Sequence, residues 1–342
     1  MRSSDPPNLP ERSPIVFVFF DPWTLGTGRL SGMVGGILDR GFTLLDFEFK
    51  TLSEADAEEI YRTNHPIREE NSWHIARLVY PMGRSVGFLF GRRDAHSCAC
   101  ASMQRLKGKA NPSLNKTGQL RYDFMAPNRC LSLMHSSDNL TQVKREALVF
   151  FSADRIDKAC VCARENGCGL AGATQNMAEN DDELGLERID EPGVGTLFAR
   201  IRLRLIKALQ HRQNPPRSRQ GLLSAYREIW EPLSKESGRR PVLAEAADYL
   251  RVVQQEEPLL NAIIAPVESS ALDEGCIAQF YRPHHHEPSL LLQCLRVLNR
   301  PQLYPKWDGV RQLPPGMLYD RWEQLLFTTH LFNFDDLLSS AG

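Results

Sequence analysis

At 342 residues, with 42% hydrophobic and 24% charged side chains, the chain has a globular composition and length enough for two domains. Lys and Arg number 41 against 42 Asp and Glu, so a formal net charge of −1 argues against a dedicated nucleic-acid or membrane-surface binder and leaves such roles to local patches. No run approaches the roughly eighteen apolar residues of a membrane span, the N-terminus lacks the pattern of a signal peptide, and eight cysteines are too sparse for a disulfide scaffold, which together read as a cytoplasmic protein.

Residues 1–14 hold three prolines before position 11 and form a lead-in. The apolar run Ile15–Phe20 predicts a strand that Asp21-Pro22 stops. A glycine-containing turn (Gly26, Gly28) leads to a helix over 29–40, with Leu30, Met33, Val34, Ile37 and Leu38 at helical spacing and Gly41 at its end. Residues 42–49 alternate as a second strand, and Ser53 with Asp56 caps a helix over 54–63. Residues 64–80 read as short helices carrying Trp73, 85–90 as a third strand, and 95–107 as a helix. After a polar loop over 108–120, Cys130–Met134 reads as a strand that delivers His135 at its end, and 140–151 as a helix. Residues 164–195 contain glycines and an acidic run, as a linker would. Beyond them, helical patterns cover 196–212, 221–230, 243–255, 288–298 and 315–327, separated by proline-containing breaks.

Chemistry concentrates between Arg121 and Phe151. Arg121-x-Asp-Phe124 is followed by His135-Ser-Ser-Asp138 and then by Glu146, which places one histidine among hydroxyls and carboxylates. A neutral imidazole is a good nucleophile near pH 7, and a carboxylate on one ring nitrogen fixes the tautomer that frees the other to attack. That is the chemistry of a phosphohistidine.

On Arg121-x-Asp-Phe124, His135-x-Ser-Asp138 and Glu146, and on the order of elements over residues 13–152, the chain resembles the nucleoside diphosphate kinases. The resemblance implies an α+β fold with a ferredoxin-like βαββαβ domain; the pattern of the rest of the chain adds a linker or mobile loop over 153–195 and a mainly α-helical domain over 196–342. It implies a ping-pong transfer of the γ-phosphate of ATP or another nucleoside triphosphate to His135 and on to a nucleoside diphosphate, with Mg²⁺ carried by the nucleotide. Glu146 and Ser137 would orient His135, Arg121 and Arg105 would hold phosphate oxygens, and Asp138 would lie near the metal-bearing phosphates. Trp73 falls where the family stacks the base and Tyr61 at its active-site tyrosine. A homo-oligomer is the implied assembly, with a protein partner for the helical domain as a further possibility.

Four positions depart from the family pattern. Asp21 stands where active members carry a lysine, Ser136 replaces the glycine after the histidine, Ser132 replaces an asparagine, and Ala110 replaces the threonine of the phosphate loop. An anion beside a triphosphate opposes its binding, so a degenerate nucleotide-binding or scaffold protein is the alternative reading. Cys98-x-Cys100 and Cys160-x-Cys162 with Cys168 suggest metal ligands, but Cys-x-Cys is too tight for a usual zinc knuckle, and the consecutive His284–His286, which cannot all face one ion, read as a surface loop. The stripe Arg200, Arg204 and Lys207 reads as a solvated basic face paired with the acidic linker.

Overall fold

Ile15–Phe20 is apolar at every position, as a strand covered on both faces must be, and it forms the central strand β1, buried throughout. The computed structural model describes residues 13–62, 77–92, 98–165, 189, 192–213, 217–236, 242–268 and 320–332. Trp73, Cys168, the acidic run and His284–His286 fall outside the described residues, as does the expected helix 288–298. The chain divides into two compact units, Met1–Asp190 and Glu191–Gly342.

In the first unit β1 pairs antiparallel with β3 (Ser85–Arg92) on one side and with the short β4 (Met134–Ser136) on the other, while β2 (Phe42–Lys50) pairs with β3. The strand order is β2-β3-β1-β4, the antiparallel sheet of the βαββαβ arrangement, and β4 is an edge. The helices that accompany it up to residue 147 are α1 (Pro22–Gly26), α2 (Leu30–Asp39), α3 (Glu54–Ile60), α4 (Ala99–Lys107), α5 (Leu120–Asp123) and α6 (Leu140–Ala147). Alternation along the strands sorts the interior. Phe17 and Phe19 of β1 point to the face where Phe150 sits, and a Cβ on Gly87 of β3 would lie 2.6 Å from the Phe150 ring, so the absence of a side chain at 87 is what lets that ring reach the sheet.

Three sequence expectations shift. Met134–Ser136, not Cys130–Met134, is the strand, because Leu133 takes a left-handed backbone (φ 71°) that breaks extension just before it. His135 therefore lies within β4, opposite Phe19, instead of at a strand end. Asp21-Pro22 does more than stop β1: the Asp21 carboxylate accepts from the Thr24 N–H at 2.8 Å and caps α1, with Pro22 at its first turn. Residues 153–165, expected within the linker, form a further helix of this unit, α7 (Ala153–Glu165). Ile156, Ala159, Cys160 and Ala163 recur at helical spacing and are buried against the sheet, while Arg155 forks onto Asp46 and Glu48 of β2 at 2.7 and 2.8 Å.

The second unit is helical: α8 (Val194–Gln213), α9 (Arg217–Ser234), α10 (Val242–Glu268) and α11 (Arg321–Phe332), with α8 touching the other three. Helix α10 continues through Pro258, where the sequence reading ends it at 255. Its core includes Leu197, Phe198, Ile201, Leu205, Tyr226, Trp230 and Leu326. Arg202 lies among them, fully buried, 3.3 Å from Glu256 and over the Trp230 ring at 4.3 Å, and the Tyr226 hydroxyl donates to the same carboxylate. The basic stripe divides: Lys207 is exposed, as on a solvated face, while Arg200 and Arg204 are bonded to neighbouring helices. Arg204 makes a two-pronged bond to Glu323 of α11 at 2.8 Å, and Arg200 donates to the Ser234 carbonyl of α9. No described helix is long and apolar enough to cross a membrane.

Candidate active site

The site forms where β4 meets α6. Asn139 caps α6 by accepting from the Gln142 N–H, and the buried stripe of Leu140, Val143 and Ala147 turns the helix so that Glu146 faces the strand. His135 is buried against Phe19 and Tyr61, with ring centroids 5.4 and 4.9 Å away, and the Tyr80 hydroxyl donates to that of Tyr61 at 3.1 Å. Its Nε2 lies 2.8 Å from Glu146 Oε2, which also accepts from the Ser137 hydroxyl at 2.6 Å; the second carboxylate oxygen accepts from Arg145 at 3.0 Å.

Glu146 is only 1% exposed. Burial alone would raise its pKa, but the contacts with His135, Ser137 and Arg145 outweigh burial and hold the carboxyl below the usual glutamate range. A carboxylate that stays charged keeps the proton on Nε2. Nδ1 is then the ring nitrogen with an available lone pair.

Arg121 comes from α5 and approaches β4 along its open edge. It donates to the carbonyls of Ser132 (2.8 Å), Met134 (2.6 Å) and Gly108 (3.1 Å) and to the Ser132 hydroxyl (3.1 Å). Every acceptor is neutral. Burial lowers its pKa to about 10, leaving it a cation at any physiological pH.

Other expected site residues divide. Ser137 and Tyr61 join His135, and Asp138 lies just beyond β4, exposed and accepting from Gln104. Arg105 does not reach the site. It is exposed and its guanidinium turns back to Ser102 at 3.2 Å. The α4 side chains that do arrive are Gln104, which donates to the Ser136 carbonyl at 3.3 Å, and Lys107, whose Nζ lies 2.9 Å from the Ser136 hydroxyl. Neither is singled out by motif; the available signal is that Lys107 recurs at helical spacing with Cys100 and Met103, a charge inside a buried stripe.

Asp21 is buried, and burial raises its carboxyl to about 6 against the lowering influence of Thr24, Arg29 and Arg121. Among the described residues no group of three or more His, Cys, Asp or Glu side chains is placed to hold a metal ion.

Residues 17–156 match the family profile described as nucleoside diphosphate kinase. The N-terminal domain belongs to that family. A nucleoside diphosphate kinase of Histophilus somni strain 129Pt is 24% identical over 127 residues, covering 37% of this chain and 84% of that protein. A thioredoxin domain-containing protein 3 homolog of Heliocidaris crassispina is 24% identical over 148 residues, 42% of this chain but 17% of its own length. A crystal structure of apo nucleoside diphosphate kinase from Encephalitozoon cuniculi aligns at a TM-score of 0.37 and 16% identity, over 41% of this chain and 90% of that one. The nucleoside diphosphate kinase domain supports a nucleotide kinase-like role, with the helical unit as an addition outside the matched residues.

Proposed function

We propose that the nucleoside diphosphate kinase domain transfers the γ-phosphate of a nucleoside triphosphate to a diphosphate acceptor through His135. The observation that supports this reading best is the His135–Glu146–Ser137 arrangement, a buried imidazole with Nε2 tied to a charged carboxylate. The Nδ1 lone pair attacks the γ-phosphorus in line, the bond from that phosphorus to the β–γ bridging oxygen breaks, and the diphosphate leaves with the electron pair. The second half-reaction reverses these steps onto the acceptor. Arg121 stabilises charge on the transferring group, and Asp138 would lie near the Mg²⁺ that a nucleotide brings, which would supply further neutralisation of phosphate charge. Tyr61 and Ser137 complete the set around the ring.

Incubation with γ-labelled ATP and Mg²⁺ tests this. The expected product is an acid-labile, base-stable phosphoprotein that His135→Ala does not form; no label on the wild type, or equal label on the variant, would overturn it. A degenerate nucleotide-binding or scaffold protein is the second reading, favoured by the Asp21 carboxylate and by the packing of Tyr61, itself bonded to Tyr80, against the histidine ring. Calorimetry separates the two, since ADP binding without phosphoenzyme supports a sensor and absence of binding supports a scaffold.

A further inference from the structure

Two buried basic side chains stand either side of His135 along β4. Arg121 holds the residue before it, through the Met134 carbonyl, and Lys107 the residue after it, through the Ser136 hydroxyl. Among the described residues neither touches a carboxylate: Arg121 donates to three carbonyls and a hydroxyl, and Lys107 to a hydroxyl. The two chains also converge, because Arg121 binds the carbonyl of Gly108, the residue that follows Lys107. Buried basic groups that no carboxylate touches are unfavourable as cations in the empty protein, and an anion that lies between them relieves both.

We propose that Lys107 is a phosphate-binding cation of this site, delivered from the last turn of α4, and that the Ser136 hydroxyl holds it until nucleotide arrives. The inference rests on the phosphotransfer reading of His135. It also accounts for two departures from the family pattern together. Asp21, at the position of the family lysine, is committed to capping α1, while Ser136, in place of a glycine, supplies the hydroxyl that Lys107 needs. The imidazole of His135 and the hydroxyl of Ser136 leave β4 on opposite faces, so Lys107 meets the phosphates around the open edge of the strand, where Arg121 already lies.

The charge state of Lys107 gives this a signature. Burial, then Arg121, lower its pKa to about 7; Lys109 acts in the same direction, and Asp138 and Glu146 oppose them. A polyphosphate beside it favours the ammonium, so binding at pH 8 draws in a proton, about 0.9 per site for a group of that pKa.

Calorimetry of Mg-ADP binding in buffers of different ionisation enthalpy at pH 8 tests the assignment on the full chain. Wild type is expected to take up about one proton more than Lys107→Met, and the variant to bind roughly 10- to 100-fold more weakly. Lys107→Arg, charged before and after binding, is expected to bind within about threefold of wild type while losing the uptake, and it decides the matter should the methionine variant not fold. Equal proton counts in wild type and both variants, or unchanged affinity in Lys107→Met, would overturn the role of Lys107 and leave the phosphotransfer reading standing. Failure of the wild type to bind Mg-ADP would overturn both.

Discussion

At the scale of single residues, the site is governed by which groups keep their charge when water is removed. Glu146 does so because His135, Ser137 and Arg145 together outweigh its burial. Glu146→Gln keeps the shape and an oxygen acceptor but removes the charge that secures the proton on Nε2. We expect nucleotide phosphotransfer to fall by about 10²-fold with little change in nucleotide affinity, measured as kcat and KM separately. A carboxyl held below its ordinary value also adds stability that is present above that value and lost as pH falls through the folded one. Melting curves below pH 4.5 should therefore fall less steeply for the glutamine variant than for wild type. The spacing of His135 and Glu146 was legible in the chain, since eleven residues of strand, cap and helix bring both to one face. Which imidazole nitrogen the carboxylate takes was not, because that depends on the rotation of α6 about its axis. Lys107 carries only a weak signal: its neighbours at helical spacing, Cys100 and Met103, read as core, which marks a buried lysine but not what it faces.

At the scale of elements, Asp21 shows one side chain serving a helix at a site's margin. It ends β1 and caps α1, yet its carboxyl titrates near 6 because it is buried. A raised pKa means that stability is fully present below about 3.8 and is lost as pH rises through about 6, a handicap of roughly 3 kcal/mol at neutral pH. Asn caps helices as well as Asp and carries no charge. Asp21→Asn should raise Tm at pH 7.5 and leave it nearly unchanged at pH 4; a lower Tm at pH 7.5 would mean that Arg29 and Arg121 need the anion more than burial opposes it. The strong elements were readable from periodicity alone: β1, β2, β3 and α2 lie within a few residues of their expected bounds. Helix α7 was obscured by the glycines and acids that follow it, although its own stripe of Ile156, Ala159, Cys160 and Ala163 is regular. The displaced start of β4 turns on the single backbone angle at Leu133, which no pattern of apolar residues announces.

At the scale of the whole molecule, the two units have separate cores, and each should respond to damage of its own. Arg202 and Glu256 form a fully buried pair in the helical unit, and removing one partner strands the other charge, at about 3–5 kcal/mol. Calorimetric scans of Arg202→Met should lower the transition of the helical unit and leave that of the sheet domain in place. A common shift of both would show that they unfold as one. The edge of the sheet bears on assembly in another way. Ser137 donates its backbone N–H to Phe17, and the ladder alternates from there, so the carbonyls of Met134 and Ser136 face away from β1. Such a row ordinarily invites a strand from another chain. Here Arg121 occupies one carbonyl and Gln104 the other. The side chains gathered beside the histidine thus also close the border to templated strand addition, and copies of this protein that associate must do so through some other surface.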